Sequence, residues 1–154
     1  VRWLARTESD TEALGARLAA TRPAGGELAV LFLEGELGAG KTTLARGLLH
    51  SLGVSGPVRS PTYTLVELYA LAGLTAVHAD LYRLRDPREL QDLGLRDWAR
   101  REHLWLVEWP ERGTGFLPEP DLRVCLAVTP AAHPIEVLPA SALGAQWVAR
   151  LGAS

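Results

Sequence analysis

The sequence predicts an α/β fold of three layers, with a mainly parallel sheet and additional antiparallel strands beside it. Three observations carry this expectation. Two apolar runs of strand length, LAVLFLE over 28–34 and LWLVE over 104–108, are hydrophobic at successive positions, as strands covered on both faces must be. Segments of helical period flank the first run on both sides. Breaks rich in Gly and Pro separate these stretches. With 154 residues, 47% of them hydrophobic, the chain has the size and apolar content of one domain, 1–154, with a sizeable core.

Each element has a local reason. Residues 9–22 predict a helix, opened by a Ser9–Glu12 capping box, stabilised by Leu14 and Leu18 one turn apart, and broken by Pro23 to Gly26. After the strand at 28–34, a second helix runs from Thr42 with Leu44, Leu48 and Leu52 on one stripe, and stops at Gly53. YTLVELY (63–69) and TAVHAD (75–80), joined by a short glycine turn, predict an antiparallel hairpin at the edge of the sheet. Asp86, Pro87 and Glu89 supply an N-cap acceptor, a proline at N1 and a glutamate at N3 for a helix that ends at Gly94, with a further short helix over 95–101. A strand at 104–108 ends at Trp109-Pro110, and a loop over 110–121 follows. Strands at 122–128 and 135–138 and a helix at 140–151 close the pattern.

The motif with the most chemical content is Gly35-Glu36-Leu37-Gly38-Ala39-Gly40-Lys41-Thr42, which satisfies G-x-x-x-x-G-K-[ST]. It follows a buried strand and opens a helix, the context of a P-loop NTPase-like fold. The glycines let backbone N–H groups turn inward around phosphate oxygens, and the helix start adds unpaired donors and the positive end of its dipole. Lys41 can place its charge between β- and γ-phosphates, and the Thr42 hydroxyl can ligate Mg²⁺. Lys41 is also the single lysine among 16 basic residues. The Asn/Thr-Lys-x-Asp loop by which small GTPases read guanine is therefore excluded, and ATP is favoured by exclusion.

Two carboxylates end apolar strand patterns, Asp80 after TAVHA and Glu108 after LWLV. Open α/β sheets bind ligands beyond the C-terminal ends of their strands, so both are candidates to hold Mg²⁺, directly or through water, or to orient the attacking water. Thr62 or Thr64, in SPTYT (60–64), lies where a γ-phosphate sensor would sit, and β-strand packing is an equally fair reading of either on residue type alone. Trp109 is either a core cap or a wall of the nucleotide site. His78, inside a strand pattern, reads as a structural histidine. The single cysteine, Cys125 in an apolar run, reads as a buried structural thiol, and zinc chemistry has no support. A net charge of −2 argues against gripping nucleic acid or anionic membrane by bulk charge. The longest apolar stretches are strand length, and the N-terminal residues are too polar for a signal peptide, so a cytoplasmic protein without a membrane span is expected.

Four segments in order, GELGAGKTT (35–43), SPTYTLVELY (60–69), HADLYRL (78–84) and LVEWPERG (106–113), together resemble the TsaE (YjeE) family of bacterial ATPases over residues 9 to 130. The resemblance implies an ATP- and Mg²⁺-dependent accessory to formation of the threonylcarbamoyl group on adenosine 37 of tRNAs that read codons beginning with adenine. It implies the proteins TsaD and TsaB as partners, with TsaD performing the transfer and tRNA reached only through the complex. Carried onto matching positions, it implies nucleotide contacts at Gly35, Gly38, Ala39, Gly40, Lys41, Thr42 and Thr43. It places Mg²⁺ at Thr42 and Glu108 with Asp80 nearby, a switch role at Thr62, Trp109 beside the glutamate, and Thr11 near the base. Two readings of other classes stand beside this one. A small-metabolite kinase would use Arg83, Arg85 and Arg88 to clamp a second phosphate, and a nucleotide-dependent scaffold would need no hydrolysis.

Overall fold

The computed structural model describes residues 1–153. Seven strands form one sheet: β1 (Arg2–Ala5), β2 (Ala29–Glu34), β3 (Val66–Leu71), β4 (Leu74–Asp80), β5 (His103–Glu108), β6 (Leu122–Leu126) and β7 (His133–Pro139), in the order β1-β7-β6-β2-β5-β4-β3. Strands β6, β2, β5 and β4 run parallel at the centre, and antiparallel pairs flank them, β3 on β4 at one edge and β7 and β1 at the other. The expected α/β class and mixed sheet are what the chain adopts. The helices are α1 (Glu8–Ala20), α2 (Lys41–Ser51), the single turn α3 (Glu89–Asp92) and α4 (Ala142–Ala153).

The central strands are buried on both faces, which explains their unbroken apolar runs. One face packs Leu31, Leu33, Leu104 and Leu106 under α1, α2 and α4. The other packs Val30, Val77, Trp105 and Val107 under Leu90 and Leu95 of the segment after β4. α1 and α2 cross at two glycines. A methyl group on Gly47 would collide with the Glu12 carbonyl, and one on Gly15 with the Leu44 carbonyl. Because α2 carries the glycine-rich loop 35–40 at its N-terminus, this close crossing sets where the loop sits against the sheet. Gly47→Ala is expected to destabilise the protein by about 1–3 kcal/mol, read from the midpoint of denaturant unfolding.

Several boundaries differ from the sequence expectation. The α1 capping box is Thr7–Asp10, not Ser9–Glu12: the Asp10 N–H donates to Thr7 Oγ1 at 3.2 Å, and the Asp10 carboxylate accepts the Thr7 N–H at 3.1 Å. The chain enters α1 directly from β1, which moves the cap two residues earlier. β1 itself was not expected. Strand β3 begins at Val66 and not at 63, because residues 61–65 form a turn closed by the Leu65 N–H on the Pro61 carbonyl at 2.7 Å, with Leu65 left-handed at φ 68°. The expected Asp86 cap is displaced. Asp86 accepts the Arg88 N–H at 2.9 Å and Glu89 accepts the Asp86 N–H at 3.4 Å, but these bonds close the turn before the helix. The helix itself starts at Glu89 with Arg88 as its N-cap, has no side-chain cap and lasts one turn. Residues 95–98 and 110–113 are 3₁₀ turns. Cys125 is half-buried beside Glu34 rather than fully buried, and desolvation with the nearby carboxylate pushes its thiol up. Among the described residues, no helix is long and apolar enough to cross a membrane.

Candidate nucleotide site

The loop over 35–40 joins the end of β2 to the start of α2. Gly38 (φ 83°) and Gly40 (φ 107°) take left-handed conformations that turn the loop back on itself. Gly40 is the N-cap of α2, and no side chain caps this helix, so its first N–H groups and dipole face the loop's concavity. Ala39 is fully buried behind the loop, and its carbonyl accepts from His133 Nδ1 at 3.1 Å.

Lys41 is 5% exposed. Its ammonium donates to the carbonyls of Gly35 at 2.6 Å and Glu36 at 2.8 Å, and lies 4.3 Å from the centre of the Trp109 ring. Burial lowers its pKa, opposed by the charges of Glu108, Asp80, Glu111 and Glu36. Trp109 reaches this place through an unusual backbone: it is left-handed at φ 58°, immediately before a proline. Such a conformation in a bulky residue costs on the order of 1–3 kcal/mol. It aims the ring over Lys41, where Tyr82 packs against it at 5.0 Å between centroids. Trp109 is thus a wall of the cavity.

The carboxylates come together through strand register. Asp80 and Glu108 are partners on the parallel pair β4–β5. Both are buried, at 4% and 3% exposure. The Thr42 hydroxyl lies 2.9 and 3.1 Å from the two oxygens of Glu108 and donates to that carboxylate. Asp80 accepts the Tyr82 N–H at 3.0 Å, the Thr62 hydroxyl at 3.1 Å and the Ser60 hydroxyl. Glu108 also meets His78 Nε2 at 2.7 Å.

These groups line a cavity of about 400 Å³ that includes Gly38, Gly40, Lys41, Thr42, Thr43, Thr62, Asp80, Glu108 and Trp109. A smaller cavity of about 250 Å³ adjoins it across Gly38 and Gly40 and reaches Thr11, Thr43 and His133. Thr11 is buried and faces Gly40. Gly35 is at the β2 end of the loop, with the Leu126 carbonyl so close that a side chain would collide with it. Of the three arginines considered as a clamp, only Arg83 borders the larger cavity; Arg88 is paired with Asp86 at 2.6 Å, and Arg85 is exposed. Thr64 is an exposed turn residue outside the cavity lining.

Among the described residues, no group of three or more His, Cys, Asp and Glu side chains could hold a metal ion. Mg²⁺ at a nucleotide asks for less: one or two carboxylates, with water and phosphate oxygens completing the octahedron. A hydroxyl and two buried carboxylates, all hard oxygen donors, fit that need.

The model of the family described as "Threonylcarbamoyl adenosine biosynthesis protein TsaE" matches residues 5–133. The chain belongs to the TsaE family. It is 49% identical over 115 residues to the tRNA threonylcarbamoyladenosine biosynthesis protein TsaE of Haemophilus influenzae, covering 75% of this chain and 73% of that protein. The protein of the same name from Streptomyces coelicolor is 40% identical over 139 residues, covering 87% of this chain and 91% of that protein. Among solved structures, YdiB of Bacillus subtilis superposes with a TM-score of 0.82 at 26% identity, covering 99% of this chain and 94% of that one. The match to the TsaE family spans every strand and loop that builds the larger cavity and leaves α4 outside.

Two polar groups of this site, Ser60 and His78, have no role in it on the sequence reading. Ser60 lies within a quoted motif, but its hydroxyl reaches Asp80 only because the turn over 61–65 folds back. His78 is not simply a satisfied core histidine, since its Nδ1 has no partner among the described residues. The signal for it was positional. Residues 78 and 80 share one face of a strand.

Proposed function

We propose that this chain binds ATP with Mg²⁺, hydrolyses it weakly on its own, and acts as the ATP-dependent accessory in threonylcarbamoylation of adenosine 37 of tRNA, together with TsaD and TsaB. The observation that carries the nucleotide part is the contact between Thr42 and Glu108. A P-loop hydroxyl and a strand-end carboxylate meet at the mouth of the sheet, beside the N-terminus of α2, which no side chain among the described residues caps. The tRNA-modifying part rests on membership of the family and on the names its curated relatives bear.

In this reading the loop N–H groups and α2 cradle the phosphates, and the Lys41 ammonium leaves the Gly35 and Glu36 carbonyls for β- and γ-oxygens. Thr42 and Glu108, with Asp80 near them, would hold Mg²⁺, which when bound would supply positive charge against the phosphates. Glu108 keeps the Thr42 hydroxyl oriented with its lone pairs outward. Thr62 and Ser60, both on Asp80, tie the loop before β3 to the carboxylate, so a γ-phosphate that recruits Thr62 would reorder that loop. The cavity lined by Thr11, Thr43 and His133 is the place for the base.

Partner dependence is tested by phosphate release and pull-down with a TsaB–TsaD pair, with and without ATP. The expected result is ATP-dependent association and faster turnover on adding the pair. Arg83→Glu is expected to weaken association, because Arg83 borders the cavity mouth beside the exposed Tyr63 ring, 4.5 Å from its centroid. Tight tRNA binding by the isolated chain at physiological salt, or full turnover without partners, would overturn the coupling.

A further inference from the structure

One polar side chain at the floor of the site has no part in the nucleotide contacts above. His78 lies on β4 two residues before Asp80, on the sheet face that packs under α2. Its side chain is 0% exposed. Nε2 sits 2.7 Å from Glu108 Oε2, while Nδ1 is buried without a hydrogen-bond partner among the described residues. An apolar side chain would fill this position with no orphaned nitrogen, so the core alone does not account for an imidazole here. An ionised carboxylate can only accept, so Nε2 carries the proton shared between the two groups.

We propose that His78 is a positioning residue for Glu108, fixing the carboxylate rotamer in which it faces the Thr42 hydroxyl and the Mg²⁺–ATP site; this rests on the proposed function. The need for such a brace follows from register. Glu108 is the in-register partner of Asp80 across adjacent parallel strands, at a spacing of about 4.8 Å between strands. Two buried carboxylates at that separation repel. Asp80 is held by Ser60, Thr62 and the Tyr82 N–H, three donors from the loops around it. Glu108 is held from above by Thr42 alone, a residue that must also serve the nucleotide. His78 supplies the second donor from below, out of reach of the cavity, so it touches neither phosphate nor water in transit. Donors behind a ligating carboxylate are where metal sites are tuned, and their loss typically costs about 10–100-fold in metal affinity or activity.

The two amide substitutions separate positioning from packing. The glutamine amide reaches the place of Nε2, whereas the asparagine amide reaches only that of Nδ1. In the full chain with its partner pair, His78→Asn is expected to lower kcat by about 10–100-fold and to raise the Mg²⁺ concentration at half-saturation similarly, while ATP binding without Mg²⁺ changes less than about twofold. His78→Gln is expected to restore both to within about fivefold of wild type. A second readout needs no nucleotide: ¹H–¹⁵N correlations of the His78 ring in the unloaded protein should show the proton on Nε2, with its signal displaced in Glu108→Ala. Equal impairment in the Asn and Gln variants, wild-type Mg²⁺ dependence in His78→Asn, or a proton on Nδ1 alone would each overturn the proposal. Absence of ATP–Mg²⁺ turnover in the wild type would instead refute the proposed function, with the ring spectrum still deciding the His78–Glu108 contact.

Discussion

Replacing Lys41 with methionine is expected to abolish stabilisation by ATP while leaving the nucleotide-free protein as stable as the wild type, or more so. The two effects have one cause. In the free protein the Lys41 side chain is 5% exposed, and burial makes its charged form less favourable than in an unfolded chain. A methionine fills nearly the same volume, keeps contact with the Trp109 ring and carries no charge to desolvate. It forfeits two hydrogen bonds to the Gly35 and Glu36 carbonyls, but these residues are half-buried and exposed, so water can replace the ammonium there. With phosphates present the balance reverses, because no other residue of the loop supplies a cation. At an ATP concentration about 100 times the dissociation constant, the wild type gains about 2.7 kcal/mol, and the variant gains none. Thermal unfolding with and without ATP–Mg²⁺ measures both halves.

The pH dependence of the same residue has a definite sign. Its folded-state pKa is lowered from the ordinary value of 10.5, so above the folded value the unfolded chain binds more protons than the native protein. The Lys41 contribution to stability therefore rises with pH between the lowered value and 10.5, and is at its least favourable below that window. In Lys41→Met that alkaline rise is lost. An unchanged slope in the variant would assign it to other groups.

What the sequence made legible here is what short-range chemistry controls. The phosphate loop is a contiguous motif whose glycines, lysine and hydroxyl each have a local reason, and the loop forms at the expected strand–helix junction. The strand-end positions of Asp80 and Glu108 followed from two apolar runs, and parallel register then brings them side by side. Partners distant in sequence were not legible. β1 is four residues long, and it exists because β7, from the far end of the chain, offers it an edge. The Thr7–Asp10 box was passed over for Ser9–Glu12 because the entry from β1 was invisible. The His78–Glu108 contact joins strands 30 residues apart. Its sequence trace was only that 78 and 80 share parity, and parity fixes a face without naming the neighbour across it.

Glu108→Gln is expected to lower kcat by about 100-fold or more, with ATP binding in the absence of Mg²⁺ little changed and the fold intact. The amide keeps the shape of the carboxylate, and with its oxygen in the place of Oε2 it still accepts from both the Thr42 hydroxyl, 3.1 Å away, and His78 Nε2, 2.7 Å away, so neither donor is left unpaired. It also removes one of two adjacent buried anions, which offsets part of any lost hydrogen bonding. Glu108→Ala, by contrast, leaves both donors without a partner in a site that is 3% exposed, and should cost stability as well as rate. Comparing the two variants by denaturant unfolding and by turnover separates the structural part of Glu108 from its chemical part. Asp80→Asn completes the test. If the two carboxylates serve one network around Thr42 and the phosphates, the double variant Asp80→Asn/Glu108→Gln loses less than the product of the single effects, with a coupling of about 0.5–3 kcal/mol. The physical reason is that each variant alone already deprives the network of a charge that the other was placed to complement. Independent effects that multiply would mean that Asp80 acts apart from Glu108, holding the Ser60–Thr62 loop and Tyr82 in place without sharing the nucleotide's metal.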